Sequence, residues 1–241
     1  KSQAAFFDKY QSALQNITVE DLSEEEKNSY EIIKWEVEIG KDLLKQPTNL
    51  LPVHQFWGTH LTMGQFAGGT GAQPFKTEKD YTNFLKRMDK YAVWIDSAMA
   101  YMKKGMAKGV VLPKSLTVKL IPQFAEMATP NIEDNLFYSS IKLMPASFPD
   151  SIKEDLTAKY TATINTKLIP QYKKMADFLN KEYLPASRAT SGIGSLPFGK
   201  DLYATYVKQW TTTEMTPEQI HELGLKEVAR LNAEMEKVKN Q

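Results

Sequence analysis

The stretch TEKDYTNFLKRMDKYAVWIDSAMAYMKKG, Thr77 to Gly105, decides the fold class. Its apolar residues Tyr81, Phe84, Leu85, Met88, Ala92, Ile95, Met99 and Met102 recur at three- and four-residue steps for about six turns, the period that gathers them on one face of an α-helix. Thr77 and Asp80 have the spacing of a capping box, which satisfies free backbone N–H groups at a helix start. Gly105 and Gly109 supply the residue type that ends helices. A helix this long, with one apolar face, must bury that face against other elements.

The neighbouring segments carry the same period. Ser23 and Glu26 open a helix with Tyr30, Ile33, Val37 and Leu44 on one stripe and Ile32, Ile39 and Leu43 beside it, closed by Pro47. From Pro149 to Tyr183 a third pattern runs through Leu156, Tyr160, Ile164, Leu168, Tyr172, Met175 and Leu179, with Pro170 inside it as a source of a kink. The last helix starts at TPEQ, where Thr216 caps, Pro217 takes the first helical position and Gln219 completes the box; its stripe is Ile220, Gly224, Val228, Leu231 and Met235. GVVLP, Gly109 to Pro113, reads as either a short strand or the entry to the next helix. Two glycine-rich stretches, Gly64 to Pro74 and Ala186 to Lys200, read as loops. No repeat at 30 to 45 residues supports a solenoid. The expectation is an all-α fold of long antiparallel, partly kinked helices with two Gly-rich loops, forming a single helical domain over residues 1–241.

Composition narrows the function. With 241 residues, 42% hydrophobic and 24% charged, the chain can bury a sizeable core. A formal charge of +1 gives no electrostatic case for nucleic acid or an anionic membrane, and the arginines are only Arg87, Arg188 and Arg230. No apolar run is long enough to span a bilayer. Cysteine is absent, which removes disulfides and thiolate chemistry and leaves His54, His60 and His221 as imidazole ligands.

Each motif has a bland rival. GSLPFGKD, Gly194 to Asp201, contains the glycine and lysine spacing of a phosphate loop, but Pro197 lacks a donor and Asp201 stands where magnesium needs a hydroxyl, so an ordinary loop is the better reading. TPEQIHELGL, Thr216 to Leu225, begins like the His-Glu-x-x-His helix of zinc peptidases, yet its second histidine position is Leu225. His54 and His60 flank QFWGT at a spacing unsuited to one helical face, with no carboxylate between Leu50 and Gln73, so packed or solvent-facing roles are favoured over a metal pair. Glu24, Glu25 and Glu26 complement a helix dipole, and Met99, Met102 and Met106 read as core or groove filling. Arg188, Tyr203, Tyr206 and His221 are the candidate substrate-binding residues: aromatic bodies to pack a ligand, a guanidinium to hold a carboxylate, an imidazole to donate or accept. Core packing explains the aromatics about equally well, and a satisfied histidine is the more frequent case for His221. No catalytic and no metal residue is assigned.

GSLPFGKDLYATYVKQWTTTEMTPEQIHELGLKEVARLNAEM (Gly194 to Met235), with LPVHQFWGT (Leu51 to Thr59) and GMAKGVVLPKSLTVKLIPQF (Gly105 to Phe124), resembles the bacterial family known as domain of unknown function 885. The resemblance covers roughly residues 20 to 241. It implies a mostly helical protein, often exported or lipid-anchored, with zinc-metallopeptidase-like chemistry carried by a His-Glu-x-x-Pro-Gly-His-His motif downstream of the IHELGL helix. That motif is not in these 241 residues, so no metal ligand transfers to them. Lys1 has the look of a trimmed end, and the chain stops at Gln241 in a charged helix without a C-cap glycine, which reads as the N-terminal part of a longer protein.

Two functions follow as expectations. In one, the chain is the helical N-terminal half of a zinc-dependent hydrolase, walling a cleft for a peptide substrate, inactive by itself, with zinc in the downstream part. Its partner is then its own C-terminal half, which docks on an exposed apolar surface. In the other, it is a non-catalytic helical ligand-binding module of an exported bacterial protein. Negligible zinc affinity is expected of the 241 residues in either case.

Overall fold

The computed structural model describes residues 2–240, so Lys1 and Gln241, where a trimmed end and an interrupted helix were expected, lie outside the described residues. The architecture is all-α: α1 (Ser2–Leu14), α2 (Glu24–Leu44), α3 (Thr59–Ala67), α4 (Glu78–Ala107), α5 (Lys114–Ala125), α6 (Ser139–Lys142), α7 (Asp150–Thr163), α8 (Ile169–Phe178), α9 (Leu184–Ala186), α10 (Gly199–Thr211) and α11 (Pro217–Lys239). Short 3₁₀ turns connect several of them. The chain divides into two compact units, Thr48–Ser191 on the one hand and Lys1–Pro47 with Gly192–Gln241 on the other.

In the unit Thr48–Ser191, α4 forms as its sequence dictates. The Thr77 hydroxyl accepts from the Asp80 backbone N–H, and the Asp80 carboxylate accepts from the Thr77 N–H in return. All eight residues of its expected stripe except Leu85 are buried, and Leu85 packs on the core as a half-buried residue. The residues from α7 to α9 lie beside it. Tyr160 donates its hydroxyl to the Tyr81 carbonyl, Lys167 reaches Asp89, Lys174 reaches Asp96 and Lys103 reaches Glu182. Because both partners advance along the chain together, α4 and the α7–α9 run point the same way. This pair departs from the expected antiparallel arrangement, and the reason is the crossover through residues 108–149, long enough to return the chain to its starting end. The antiparallel partner is α5, whose Thr117 pairs with Ser187 and whose Phe124 ring meets Tyr172 at a tilt of 42°.

Pro170 leaves its mark without breaking the helix. The five residues before Ile169 form a single π turn, Ile164–Leu168, in which the Ile169 N–H reaches back to the Ile164 carbonyl. A second π turn, Leu179–Tyr183, stands at the same distance ahead of Pro185. Each wide turn shifts the bonding register where a proline has no donor to give.

KLIPQFAEMA, Lys119 to Ala128, and KLIPQYKKMA, Lys167 to Ala176, share seven of ten residues. The two copies run in opposite directions in contact, so equivalent rings, Phe124 and Tyr172, meet at 5.6 Å between centroids. Leu120 and Leu168, equivalent again, are both fully buried.

The core around them is aromatic: Tyr81, Phe84, Phe124, Phe137, Tyr160, Tyr172 and Tyr183. Burying a side chain of that size contributes about 1.5–3 kcal/mol. Tyr91 donates its hydroxyl to Tyr172 and Tyr183 accepts from the Leu112 N–H, while the buried Tyr81 hydroxyl has no hydrogen-bond partner among the described residues. GVVLP is no strand: Val110, Val111 and Leu112 are buried, and the segment makes an isolated backbone bridge between Pro113 and Arg188. The stretch from Gly64 to Pro74 begins inside α3, so its first residues are helical and not loop.

In the other unit, α1 packs on α2 through Phe7 against Gly40 and Lys41 against Asp8. No capping box or sustained apolar stripe in the sequence marks α1. On α2 only Val37 and Ile39 are buried, while Ile32, Ile33 and Leu44 stay exposed. Lys208 of α10 lies over the Trp35 ring. The box at Thr216 and Gln219 forms as expected, yet α11 has no buried residue.

Candidate functional site

The site with the most defined chemistry lies in the unit Thr48–Ser191, in a cleft of about 530 Å³ between α3, the end of α5 and residues 127–136. His60, in the first turn of α3, is 5% exposed and stacks on Phe124 at 4.9 Å. One turn on, Gly64 bares the helix wall: a Cβ there would stand 3.1 Å from Leu136 Cδ2 and narrow the cleft.

A chain of hydrogen bonds fixes the imidazole. Gln123 Nε2 donates to the Gln55 carbonyl at 3.0 Å, which turns its Oε1 toward His60 Nε2 at 3.3 Å. An amide oxygen only accepts, so Nε2 carries the proton and Nδ1 is left with a lone pair. That Nδ1 is buried and has no hydrogen-bond partner in the structure. Burial, the largest cause, and the nearby His54 hold His60 below its ordinary pKa, against the Gln123 bond, so the neutral ring is favoured. Gly58 makes room beside it: its φ of +140° suits glycine, and a Cβ would stand 3.1 Å from Nδ1.

The loop before α3 carries exposed rings. Trp57 and Phe56 are each 70% exposed. His54 stacks flat on Trp57 at 4.5 Å and accepts from the Phe56 N–H. His54 and His60 thus serve in packing and in a polar network. Among the described residues no group of three or more His, Cys, Asp or Glu is placed to hold a metal ion.

The four residues expected to bind substrate are divided between the two units. Arg188 belongs to the unit Thr48–Ser191, Tyr203, Tyr206 and His221 to the other. Half-buried Arg188 donates from Nε to the Val111 carbonyl and from its other nitrogens to the carbonyls of Thr190 and Ser191, stapling the chain after α9. On α10 Tyr203 is exposed and Tyr206 half-buried, and on α11 His221 is exposed. Among the described residues no hydrogen bond or ring contact joins these three. GSLPFGKD forms a 3₁₀ turn and the start of α10 without a preceding strand.

Gln123, which sets the His60 tautomer, escaped the sequence reading. Its signal was the doubled KLIPQ segment, in which Gln123 and Gln171 are equivalent. Gln171 reaches Asp96 instead.

Comparison with known proteins gives the chain its relatives. The family described as bacterial protein of unknown function (DUF885) matches residues 1–241. No curated protein matches the sequence. A solved structure described as "the putative lipoprotein from Colwellia psychrerythraea" superposes with a TM-score of 0.80 over 96% of this chain at 19% identity, which shows the shared fold. The chain spans 41% of that protein's length. No helix among the described residues is long and apolar enough to cross a membrane.

Proposed function

We propose, from the premise that this chain belongs to the bacterial DUF885 family, that it is the helical N-terminal part of a larger exported, lipid-anchored hydrolase of the zinc-peptidase type. In this reading it supplies a substrate-holding wall and leaves bond cleavage to residues outside its 241. The observation that carries the reading is the cleft itself, a preorganised polar network set in an apolar lining, with His60 Nδ1 buried and its lone pair uncommitted.

The chemistry divides accordingly. Zinc held downstream would polarise a peptide carbonyl and acidify its bound water, with a downstream glutamate as base. Residues of this chain position the substrate. His60 and Gln123 do so in the cleft of the unit Thr48–Ser191, where Arg188 holds the segment after α9. The 41% span over the structural neighbour supports a larger protein, and the exposed Val228, Leu231, Met235 and Val238 of α11 offer the face on which its remainder docks.

The test compares the natural full-length protein, loaded with zinc, with the 241-residue chain, using a peptide library read by mass spectrometry. Cleavage by the former alone is expected. Cleavage by the 241 residues, or by neither protein, sinks the hydrolase reading. The same cleft also suits a non-catalytic capture module, which binds peptides in this assay and cuts none.

A further inference from the structure

We propose that residues 53–58 form a strap that acid releases from the start of α3, with His60 as the trigger: a proton taken up at its Nδ1 displaces the Gly58 backbone that covers that atom. The device needs no ligand and goes beyond the reading of the neighbouring cleft.

The closed strap leaves the proton no partner. His60 Nδ1 is buried without a hydrogen bond, and Gly58 lies so near that a Cβ there would stand 3.1 Å away. Nε2–H is already given to Gln123. A second N–H on this ring would be a buried, unpaired donor on a cation, far costlier than the neutral imidazole. No opposite charge offsets it. The ring faces Gln123 and Phe124 of α5, and Glu126 and Tyr172 border the same cleft, yet the group whose charge acts on it is His54, which repels a second cation. His54 packs on the Phe56 and Trp57 rings, and burial lowers its own pKa with no carboxylate acting on it.

The strap is lightly held. Among the described residues the only hydrogen bonds of the backbone of residues 53–57 run from the Phe56 N–H to His54 Nδ1 and from Gln123 to the Gln55 carbonyl. Phe56 and Trp57 are mostly exposed already, so moving them uncovers little apolar surface, and Gly58 caps α3 with no side-chain hydrogen bond to lose. Val53 stays buried as the anchor. Displacing Gly58 brings water to Nδ1 and ends the Gln55–Gln123 link that fixes the polar network of the cleft. His54 assists only in part: a proton on its Nδ1 removes the acceptor of the Phe56 N–H, but its stack on Trp57 tolerates a cation. Burial and His54 hold His60 below its ordinary pKa while the strap is closed, and an opened His60 titrates at the ordinary value. Closure is therefore complete above that ordinary value and is lost as pH falls through it toward the lower one.

Hydrogen exchange of the 241-residue chain, read by mass spectrometry on the peptide spanning residues 51–60 and corrected for the intrinsic pH dependence of exchange, tests the strap directly. Protection there is expected to fall about tenfold between about pH 7.5 and about pH 5, the factor that one unit of pKa displacement supplies, while peptides of α4 keep theirs. His60→Gln, neutral at both pH values, should remove the fall, and His54→Gln should keep most of it. NMR titration of the imidazoles in the unsubstituted chain serves as the second measurement, since the midpoint of the exchange change should coincide with that of His60. Coincident midpoints uphold the proposal. A fall that tracks His54 and survives in His60→Gln, or protection that does not change with pH, overturns it, and either result leaves the substrate-wall reading to be decided by the peptide-library assay.

Discussion

Helices α4 and α11 are written in the same code and end in different places. Each opens with a complete capping box, Thr77 with Asp80 and Thr216 with Gln219, and each carries an apolar stripe at helical spacing. Over its 30 residues α4 buries ten, among them Tyr81, Phe84, Met88 and Ile95. Over its 23 residues α11 buries none, and Leu231 and Met235 stand 50% and 68% exposed. Periodicity therefore states which face of a helix seeks cover. It says nothing of whether the cover lies within the same 241 residues.

The largest effect that tests this contrast is in α4. Phe84 is fully buried and touches the rings of Phe75, Phe137 and Tyr160, so Phe84→Ala should lower the unfolding free energy by about 3–5 kcal/mol, the usual cost of a large cavity. Denaturant titration measures it. A loss below 1 kcal/mol would mean that the core described here is not the one holding the unit together.

The capping boxes sharpen the comparison at intermediate size. Thr77→Ala and Thr216→Ala each remove one cap bond, worth ~1 kcal/mol. In α4 the loss should appear in the cooperative transition, because ten buried residues couple that helix to its unit. In α11 it should appear as faster amide exchange in the first turns, with the main transition unmoved. Equal shifts of the main transition in both variants would erase the distinction.

The smallest expected effect is on the exposed stripe. Leu231→Glu should change the stability of the 241-residue chain by less than about 0.5 kcal/mol, as for an ordinary surface site. The same substitution in the full-length protein should cost several times more if the remainder docks there, and an equal, small change in both would remove α11 as a docking face.

The legible parts of the fold were those set by local chemistry. The Ser23–Glu26 box, the α4 stripe and the proline-interrupted run from Pro149 all appear where the spacing put them. The unassigned α1 has a diffuse apolar pattern, so nothing local announced it. The candidate site was harder to see, because its parts are far apart in sequence. His60 and Gln123 are 63 positions apart, and only packing brings the amide to the ring. Arg188 looked like a ligand clamp by type, yet its guanidinium faces backbone carbonyls of its own unit.

By itself the sequence determined the helical class, the caps, the placement of the prolines and the exclusion of cysteine chemistry, because each follows from interactions within a few residues of one another. Tertiary structure alone decided three things: that α4 and the α7–α9 run lie parallel, that the two KLIPQ segments meet face to face, and that His60 is left with a lone pair at Nδ1. Those outcomes depend on which distant surfaces exclude water together, and no spacing along a chain encodes that choice locally.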